Sequence, residues 1–357
     1  MAILGIMTHA SRRPRRYTFY AKEATRLGFE ATLLFGPEDV DVTRRRVEAF
    51  RFEGKGWRRT VCPLPDIVHD MGFYTTPDAT RRAKRMKSPG SGLAFTGYAL
   101  GHKWTLHEKL LQTPYARYVP ETELLRSPNA AVRLAARFGA VMVKPRDGKQ
   151  GKGIVKISRE GSGAKTFRWQ EKLYRESPLA PSALVARLSA RFRPASAVVQ
   201  RWMDIRCPMG GVYDIRALVQ KTEGEAWRLT EMAVRQSGLG RIASNVSGGG
   251  AVRSAPEFLA RMYGEEEAAR ILEECRSIAD GLPAALEAAY EKRFVELGID
   301  LAVEKGGGVR IIEVNIKPGK KIVRALSGER AYADALAQPI RYAKWLSDRR
   351  GSLGKGS

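Results

Sequence analysis

The stretch GIDLAVEKGGGVRIIEVNIKPGKK, residues 298–321, indicates the fold more clearly than any other part of the sequence. Two strand-like runs flank a lysine and three glycines, a pattern that predicts a β-hairpin. A turn centred on residues 306–307 places Asp300 opposite Glu313. Side chains alternate along a strand, so Asn315 shares a face with Glu313. Two carboxylates and one amide would then converge, all of them oxygen donors.

Opposed carboxylates in a sheet need a positive charge between them, because like charges directly opposite each other destabilise the pairing. A hard divalent cation supplies that charge, and Mg²⁺ typically combines a few carboxylates with substrate phosphates and water. We therefore predict Asp300, Glu313 and Asn315 as magnesium ligands. The alternative is an exposed hairpin edge whose turn differs by one residue, which would move Asp300 to the opposite face.

A second stretch, VMVKPRDGKQGKGIVKI at 141–157, contains four lysines and three glycines, with the glycines between two strand-like runs. Glycine lets backbone N–H groups approach a ligand closely, and lysine supplies a mobile charge suited to phosphate. Ile154 stands where a Walker A loop needs lysine, and the order Gly148, Gly151, Gly153 does not match the dinucleotide fingerprint. The loop joins two strands, so we interpret it as a flap over phosphates. The alternative is an exposed hairpin turn with solvated lysines.

The net charge is the unusual feature of the composition. The 357 residues include 62 lysines and arginines against 38 aspartates and glutamates, which gives a formal net charge of +24. Such an excess favours anionic partners, whether a nucleotide, a nucleic acid or an acidic polymer. No aromatic-interleaved RNA motif, zinc finger or basic zipper accompanies the charge, so the pattern disfavours nucleic acid.

The remaining composition is typical of a reduced, cytoplasmic protein. The three cysteines, Cys62, Cys207 and Cys275, are far apart and odd in number, which indicates neither a disulfide framework nor a zinc knuckle. His102 and His107 are expected on a helix surface. The N-terminal apolar run precedes its arginines, the reverse of a signal peptide, and no uncharged apolar run reaches membrane-spanning length. We expect no membrane partner.

Secondary-structure patterns alternate along the chain. The N-terminal residues read as a strand, an amphipathic helix stopped at Gly28 and a second strand, as in α/β units. A later helix has Ser127 as its N-cap and Pro128 at its first position. Further on we expect a polar and then helical segment at 160–193, a long helix near 256–293 and a helix at 329–346.

Taken in order, these motifs resemble those of the ATP-grasp superfamily. Lys103 in GHKWTLHEKL and Lys144 in VMVKP match its two nucleotide lysines, GKQGKGI its flap, VVQRWM its adenine hinge and the final hairpin its metal ligands. YDIRALVQ, AVRQSG and IASNVSGGG are more similar still to the YheC/YheD family, which occurs in spore-forming bacteria and is associated with the spore coat. The Pro-Glu-Thr sequence at 120–122 also fits that family. The resemblance covers residues 98 to about 325.

The resemblance implies an α/β (α+β) fold: an ATP-grasp fold preceded by a small N-terminal α/β domain of the pre-ATP-grasp type. It predicts four segments along the chain. They are the N-terminal α/β domain at 1–97, a first ATP-grasp subdomain with the flap at 98–200, a second subdomain with the metal hairpin at 201–326, and a C-terminal helix and tail at 327–357.

The resemblance also assigns roles to individual residues. The implied nucleotide-binding residues are Lys103, Lys144, Gly148, Gly151, Lys152, Gly153, Gln200, Trp202 and Met203. The implied catalytic residues, which would neutralise charge or shape the acceptor pocket, are Arg216, Arg235 and Asn245. Arg216 follows Asp214 closely, and the plainer alternative is that these two form a surface ion pair.

Two features depart from the pattern of related ligases or extend it. Arg201 stands at the hinge where related ligases carry an acidic residue for the ribose, and Asp204 is the available substitute. The lysines of NIKPGKK, at 317, 320 and 321, are expected beside the metal. They would suit an acidic co-substrate, or they form a solvated run.

The implied activity is ATP- and Mg²⁺-dependent ligation of a carboxylate to an amine through an acyl phosphate, with substrates that the sequence does not name. Catalysis would consist of positioning and charge neutralisation, since no nucleophilic triad is present in the sequence. Two alternatives stay open. One is kinase-like phosphoryl transfer without ligation, and the other is a non-catalytic spore-coat or scaffold protein that adheres to an anionic polymer.

Overall fold

The computed structural model of the chain describes residues 2–9, 13–148, 153–160, 166–171, 174–175, 178–208, 210–238 and 250–353. These residues form three β-sheets with helices packed between and around them. The mixture of helices and sheets confirms the predicted fold class. The four-segment division of the chain stays a prediction.

The N-terminal sheet confirms the predicted strand–helix–strand start. Its elements in chain order are β1 (Ile3–Met7), α1 (Thr18–Arg26), β2 (Ala31–Phe35), β3 (Val40–Asp41), β4 (Arg46–Phe52), β5 (Trp57–Pro63), β6 (Ile67–Asp70) and α2 (Pro77–Met86). Gly28 follows α1 with a φ of 87°, a conformation that glycine adopts without strain. β1 lies between β2 and β6 and runs parallel to both, so the carboxyl ends of three strands share one edge.

The middle sheet is antiparallel in the order β11-β10-β9-β8-β12-β7. Its elements in chain order are α3 (Lys103–Leu111), β7 (Thr122–Leu124), α4 (Pro128–Phe138), β8 (Ala140–Pro145), β9 (Val155–Glu160), β10 (Thr166–Glu171), β11 (Tyr174–Arg175), α5 (Pro181–Arg191) and β12 (Ala197–Arg201). Ser127 caps α4 as predicted, accepting a hydrogen bond from Asn129 N at 3.3 Å. The prediction for 160–193 missed β10, which buries Phe167 and Trp169 on one face.

The expectation that both histidines lie on the surface of α3 is wrong for His107. His102 is the N-cap of the helix, and its Nδ1 accepts a hydrogen bond from Thr105 N at 3.1 Å. His107 is buried and packs against Trp104, with ring centroids 5.1 Å apart. Burial lowers the pKa of His107.

The third sheet is antiparallel in the order β15-β14-β13-β16-β17. Its elements in chain order are β13 (Tyr213–Lys221), β14 (Trp227–Gln236), β15 (Ala251–Ser254), α6 (Ala255–Tyr263), α7 (Glu265–Tyr290), β16 (Glu296–Val303), β17 (Val309–Asn315) and α8 (Lys321–Leu353). α6 and α7 cover one face of this sheet and form its large apolar core with the inward residues of β13 and β16.

One of the two helix predictions in this region needs correction, and the other is confirmed. The single helix expected near 256–293 is two helices, because Gly264 has a φ of 84° and interrupts the backbone between α6 and α7. The helix expected at 329–346 does begin after Gly328, whose φ of 79° separates it from a short helical segment that starts at Lys321, and it continues to Leu353. In both places a glycine allows a backbone turn that other residues would resist.

The last helix returns to the N-terminal sheet. Ile340, Tyr342 and Leu346 of α8 lie in one buried cluster with Leu4 and Ile6 of β1. The ion pair between Lys317, which follows β17, and Asp70, at the end of β6, brings the carboxyl edge of the first sheet close to the end of β17. Among the described residues, no helix is both long enough and apolar enough to cross a membrane.

Candidate functional site

The hairpin of β16 and β17 places Asp300 opposite Glu313, as predicted. The turn itself differs from the prediction, because Leu301 faces Ile311 and the register is one residue short. A β-bulge at Ile312 adds one residue to β17 and restores the predicted carboxylate pair. The side chain of Ile312 packs against a small buried apolar cluster, which accommodates the extra residue.

Asp300 is buried between two arginines. Arg216 Nη2 lies 2.9 Å from Asp300 Oδ2, Arg216 Nε contacts Oδ1, and Arg235 Nη2 lies 3.0 Å from Oδ2. Burial alone would raise the pKa of Asp300, but Arg235 and Arg216 outweigh it and lower the pKa. Guanidinium groups therefore supply the positive charge that the sequence-based argument assigned to a metal. The role of Asp300 as a metal ligand stays a prediction.

The ion pair proposed between Arg216 and Asp214 is wrong. Asp214 is buried and faces Arg235 across β13 and β14, where Arg235 Nε donates to its Oδ1 at 2.7 Å. Arg216 instead faces Asp300 across β13 and β16. Charges thus alternate across three strands, and Asp214 is a member of the site that the sequence reasoning missed. Each guanidinium keeps its Nη1 without a hydrogen bond to any described residue.

Lys103 connects the helix α3 to the hairpin. It is the first residue of α3, and its Nζ lies 2.6 Å from Glu313 Oε1 and 3.0 Å from the carbonyl oxygen of Gly148 in the flap. Glu313 and Lys103 both keep part of their side chains exposed, at 36% and 20%. A predicted nucleotide lysine and a predicted metal ligand therefore neutralise each other, at a position that solvent reaches.

Lys144 lies on β8, close to this pair. Its Nζ donates to Gln200 Oε1 at 2.6 Å, the one hydrogen bond that the ammonium makes with the described residues. Burial lowers the pKa of Lys144 to about 8; the Glu313 carboxylate opposes this shift, and the Lys103 ammonium reinforces it. A cation with a single neutral partner in poor solvent contact is well suited to receive an anion.

The hinge residues after β12 lie in two environments. The Lys156 ammonium sits 4.0 Å from the ring centroid of Trp202, a cation–π contact. Met203 is buried in an apolar cluster with Ile205 and Val212. The Trp202 ring therefore contacts a cation, whereas the Met203 side chain is buried in the apolar cluster.

The residues discussed for ribose recognition are already paired with other groups. Arg201 donates to both carboxylate oxygens of Glu304, at 2.9 and 3.1 Å, and to Glu121 at 2.9 Å. Asp204 accepts from Arg206 at 2.7 and 2.6 Å. Ribose binding by Asp204 stays a prediction, and the sugar would have to compete with Arg206.

The described part of the flap has the backbone features expected of its glycines. Gly148 N donates to the carbonyl oxygen of Pro145 at 3.1 Å, and Gly153 has a φ of 73°. A Cβ on Gly153 would approach Pro145 Cγ to 3.0 Å, so the flap passes close to its own base. Arg146 Nε is buried without a hydrogen-bond partner among the described residues. Three predicted site residues lie outside the described residues: Gly151, Lys152 and Asn245.

The lysines after β17 serve the fold instead of an open acidic-substrate site. Lys317 Nζ lies 2.9 Å from Asp70 Oδ1 on β6, and Lys320 Nζ lies 2.7 Å from Glu296 Oε2 on β16. Both ammonium groups are neutralised by internal carboxylates. The expectation that they suit an acidic co-substrate is therefore wrong for Lys317 and Lys320.

The donor set fits magnesium through Glu313 and Asn315. Carboxylate and amide oxygens are hard ligands, and Mg²⁺ takes few protein ligands, filling its remaining positions with water and phosphate. Within the described ranges, no three histidine, cysteine, aspartate or glutamate side chains are grouped to hold a metal. Gly298 faces Asn315, and a Cβ there would come within 2.8 Å of Pro318 and 3.2 Å of Arg216 Nη1. The strand is thus packed closely beside the predicted ligands.

Solved structures of other proteins share the fold of this chain. D-alanyl-alanine synthetase A of Vibrio cholerae O1 biovar eltor is similar with a TM-score of 0.56 over 96% of this chain and 98% of that chain, at 12% identity. D-cycloserine synthetase DcsG has a TM-score of 0.53 (95% and 99% coverage, 18% identity). The D-alanine–D-alanine ligase of Coxiella burnetii has 0.54 (99% and 98% coverage, 11% identity). The chain has the ATP-grasp fold of these ligases and synthetases.

The chain belongs to the YheC/D-like ATP-grasp family, whose model matches residues 92–346. The endospore coat-associated protein YheC of Bacillus subtilis strain 168 is 24% identical over 365 residues, which span 99% of this chain and 98% of that protein. The endospore coat-associated protein YheD of the same strain is 23% identical over 329 residues, 88% of this chain and 70% of that protein. The family predicted from the motifs is confirmed.

Proposed function

We propose that the protein is an ATP- and Mg²⁺-dependent ligase that joins a carboxylate to an amine through an acyl phosphate. The observation that carries the proposal is the Lys103–Glu313 contact at 2.6 Å, with Lys144 close by. It brings the predicted phosphate-binding and metal-binding groups of separate elements to one hairpin. A scaffold has no physical need for this convergence, because each charge costs desolvation when it leaves water.

Binding of the nucleotide would exchange the partners that these groups have in the free protein. Lys103 would release Glu313 and bind phosphate oxygens, while Lys144 would gain an anion beside Gln200. Glu313 and Asn315 would hold Mg²⁺, which supplies charge neutralisation for the phosphates when bound. The flap beginning at Gly148 would cover the phosphates with its backbone N–H groups.

The reaction would proceed in two steps. A substrate carboxylate oxygen forms a bond to the γ-phosphorus of ATP, the bond from that phosphorus to the β–γ bridging oxygen breaks, and ADP leaves. An amine nitrogen then bonds to the acyl carbon, phosphate leaves, and the amine proton passes to solvent or phosphate. Arg216 and Arg235, whose Nη1 atoms have no described partner, would neutralise the developing negative charge. We place the protein in the cytoplasm for this activity.

The names of the two Bacillus subtilis relatives favour a second candidate function, association with the endospore coat. The formal net charge of +24 would let the chain adhere to an acidic polymer by electrostatic attraction. This role is compatible with catalysis, but it does not need an intact nucleotide site. Kinase-like transfer without an amine pocket is a third candidate, and it differs from ligation only in the second step.

Calorimetry of ATP binding, with and without Mg²⁺, tests the proposal on the wild type and on Glu313→Gln. We expect Mg²⁺ to tighten ATP binding in the wild type and to have little effect in the variant. ADP and phosphate release, followed in the same samples with candidate amino acids and peptides, separates the functions. Release of both ADP and phosphate that requires a carboxylate and an amine supports a ligase. Release of ADP without phosphate, with the carboxylate alone, supports a kinase, and no ATP binding at all contradicts both.

A further inference from the structure

Thr122, the threonine of the Pro-Glu-Thr sequence, is linked to the nucleotide site through one side chain. Its Oγ1 accepts a hydrogen bond from Gln200 Nε2 at 3.0 Å, and Gln200 Oε1 accepts from Lys144 Nζ at 2.6 Å. We propose that Thr122 is a positioning residue for the nucleotide site, because it fixes the Gln200 amide with its oxygen on the Lys144 ammonium. The inference rests on the nucleotide-binding role proposed for Lys144.

The strand register brings the three side chains onto one face of the middle sheet. Thr122 of β7 faces Gln200 of β12 directly. Lys144 of β8 faces Val198, two residues before Gln200 on β12, so Lys144 and Gln200 share a face and lie diagonally across two strands. Three neighbouring strands therefore hold the relay, and none of its members depends on a loop.

Hydrogen-bond chemistry sets the direction of the relay. The Thr122 hydroxyl has one proton and donates it to the carbonyl oxygen of Pro120 at 2.8 Å. Its oxygen must then act as an acceptor toward Gln200, whose amide has one acceptor and one donor end. A flipped amide would set N–H groups against the ammonium and its oxygen against the threonine lone pairs. Both neighbours thus favour the same orientation.

Burial makes this orientation consequential. Gln200 is 7% exposed, so water cannot readily replace a lost partner of its amide. If the Thr122 hydroxyl is removed, the amide N–H loses its acceptor, and the amide rotates toward other partners at the expense of Lys144. Lys144 would then lose the one hydrogen bond that its ammonium makes with described residues.

The first test compares Thr122→Val, which keeps the shape without the hydroxyl, with Thr122→Ser, which keeps the hydroxyl. Calorimetry with ATP and Mg²⁺ should show about tenfold weaker binding for Thr122→Val, as expected when a hydrogen bond to a charged group is lost. Thr122→Ser should bind within about twofold of the wild type. Equal losses in the two variants would indicate a packing role and would overturn the proposal.

The second test measures Lys144 without nucleotide. Carbon-13 NMR of labelled lysine, with the Lys144 signal assigned by its absence in Lys144→Met, gives the pKa of this side chain. The charged groups that face it are Glu313 and Asp300, which raise the pKa, and Lys103, which lowers it. The pKa of Lys144 should be lower in Thr122→Val than in the wild type, and it should be unchanged in Thr122→Ser. If the pKa of Lys144 is the same in Thr122→Val and in the wild type, the proposal for Thr122 is contradicted, whether or not the protein binds ATP. If the wild type binds no ATP, that result alone overturns only the proposed function.

The third test uses Gln200→Glu as a background. A carboxylate offers an acceptor at both ends, so Lys144 no longer depends on the orientation of an amide. Thr122→Val should therefore weaken ATP binding about tenfold when residue 200 is the native glutamine, and less than twofold in the Gln200→Glu background. A cost of the same size in both backgrounds would show that Thr122 acts by packing. Thermal unfolding of each variant checks that the fold is intact.

Discussion

Two buried aspartates of this molecule, Asp70 and Asp300, each meet two cations, yet their surroundings differ. Asp70 ends β6 of the N-terminal sheet and contacts two lysines, and Asp300 lies in β16 and contacts two arginines. Their side chains are similarly buried, at 5% and 8% exposure. Charge balance alone therefore does not distinguish a structural carboxylate from one in the candidate site.

The surroundings of Asp70 leave little room for a ligand. Besides Lys87 at 2.7 Å and Lys317 at 2.9 Å, its carboxylate accepts from Tyr74 Oη and Gly72 N, both at 2.9 Å. The adjoining cavity has a volume of about 20 Å³, room for about one water molecule. Four donors around the carboxylate and a cavity of this size indicate a structural junction between the N-terminal sheet and the end of β17.

The lysines of Asp70 each share their ammonium between that carboxylate and a backbone carbonyl oxygen, whereas the arginines of Asp300 each keep one nitrogen without a described partner. Arg216 and Arg235 each use Nε and Nη2 for internal carboxylates and keep Nη1 without a described partner. A planar guanidinium can hold one carboxylate and still donate to a second anion, whereas the lysines here are held as point charges. The comparison teaches that spare donors, more than buried charge, mark the candidate site.

The largest effect on stability should come from Asp70→Asn. Loss of this carboxylate leaves Lys87 and Lys317 without their common anion in a buried junction, which should lower the free energy of unfolding by about 3–5 kcal/mol. Urea unfolding measures the change. The matched control is Asp78→Asn, whose aspartate also pairs with two cations, in this case arginines at the surface, and we expect no measurable change there. Equal effects at the two positions would contradict the assignment of Asp70 as a structural junction.

The next largest effect should come from Arg216→Met, which should lower the rate of turnover. Removal of one donor that stabilises charge in the transition state typically slows turnover by about 10²–10³-fold. Arg235 still pairs with Asp300 in the variant, so the fold should persist. ADP release with ATP, Mg²⁺ and a productive substrate pair measures the loss. The control Lys87→Met removes a cation from the other aspartate and should leave turnover within tenfold; a larger loss there would erase the contrast between the two regions.

Much of the site was predictable because its residues follow strand periodicity. The pairing of Asp300 with Glu313 was predicted from alternation alone and is confirmed, although the turn was placed one residue away. A single bulge corrected the register, and nothing in the local sequence marks Ile312 as the extra residue. Without the bulge, the shifted turn would have placed Ile312 opposite Asp300. The bulge at Ile312 cancels this shift, so Asp300 still faces Glu313.

What the sequence could not predict depends on contacts between distant segments. Asp214 was paired with its neighbour Arg216, but the sheet order brings it to Arg235, 21 residues away. Lys317 was expected to face a substrate, but it meets Asp70, which is 247 residues earlier in the chain. Local patterns give the face of a strand, whereas partners across sheets depend on how the sheets pack.

Acid should weaken the junction in a defined pH range. Burial alone would raise the pKa of Asp70, but Lys87 and Lys317 outweigh it and lower the pKa from 3.8 to about 2. A carboxylate with a lowered pKa stabilises the fold above pH 4, and that contribution, about 2 kcal/mol, is lost as the pH falls from 4 through 2. The difference in unfolding free energy between wild type and Asp70→Asn should narrow over this range. A constant difference down to pH 2 would contradict the low pKa.

The smallest effects should come from two glycines, one in each region. A Cβ on Gly298 would lie 2.8 Å from Pro318 and 3.2 Å from Arg216 Nη1, and one on Gly97 would lie 3.1 Å from the backbone just before β16. Each change to alanine should lower the free energy of unfolding by about 1–2 kcal/mol through overpacking. Gly90→Ala, whose Cβ would meet nothing within 4 Å, is the control for both. Only Gly298→Ala should also slow ADP release beyond the effect of Gly97→Ala, because its methyl group displaces Arg216. If both variants slowed turnover equally, the N-terminal junction would be part of the reacting site, and the distinction drawn between Asp70 and Asp300 would fail.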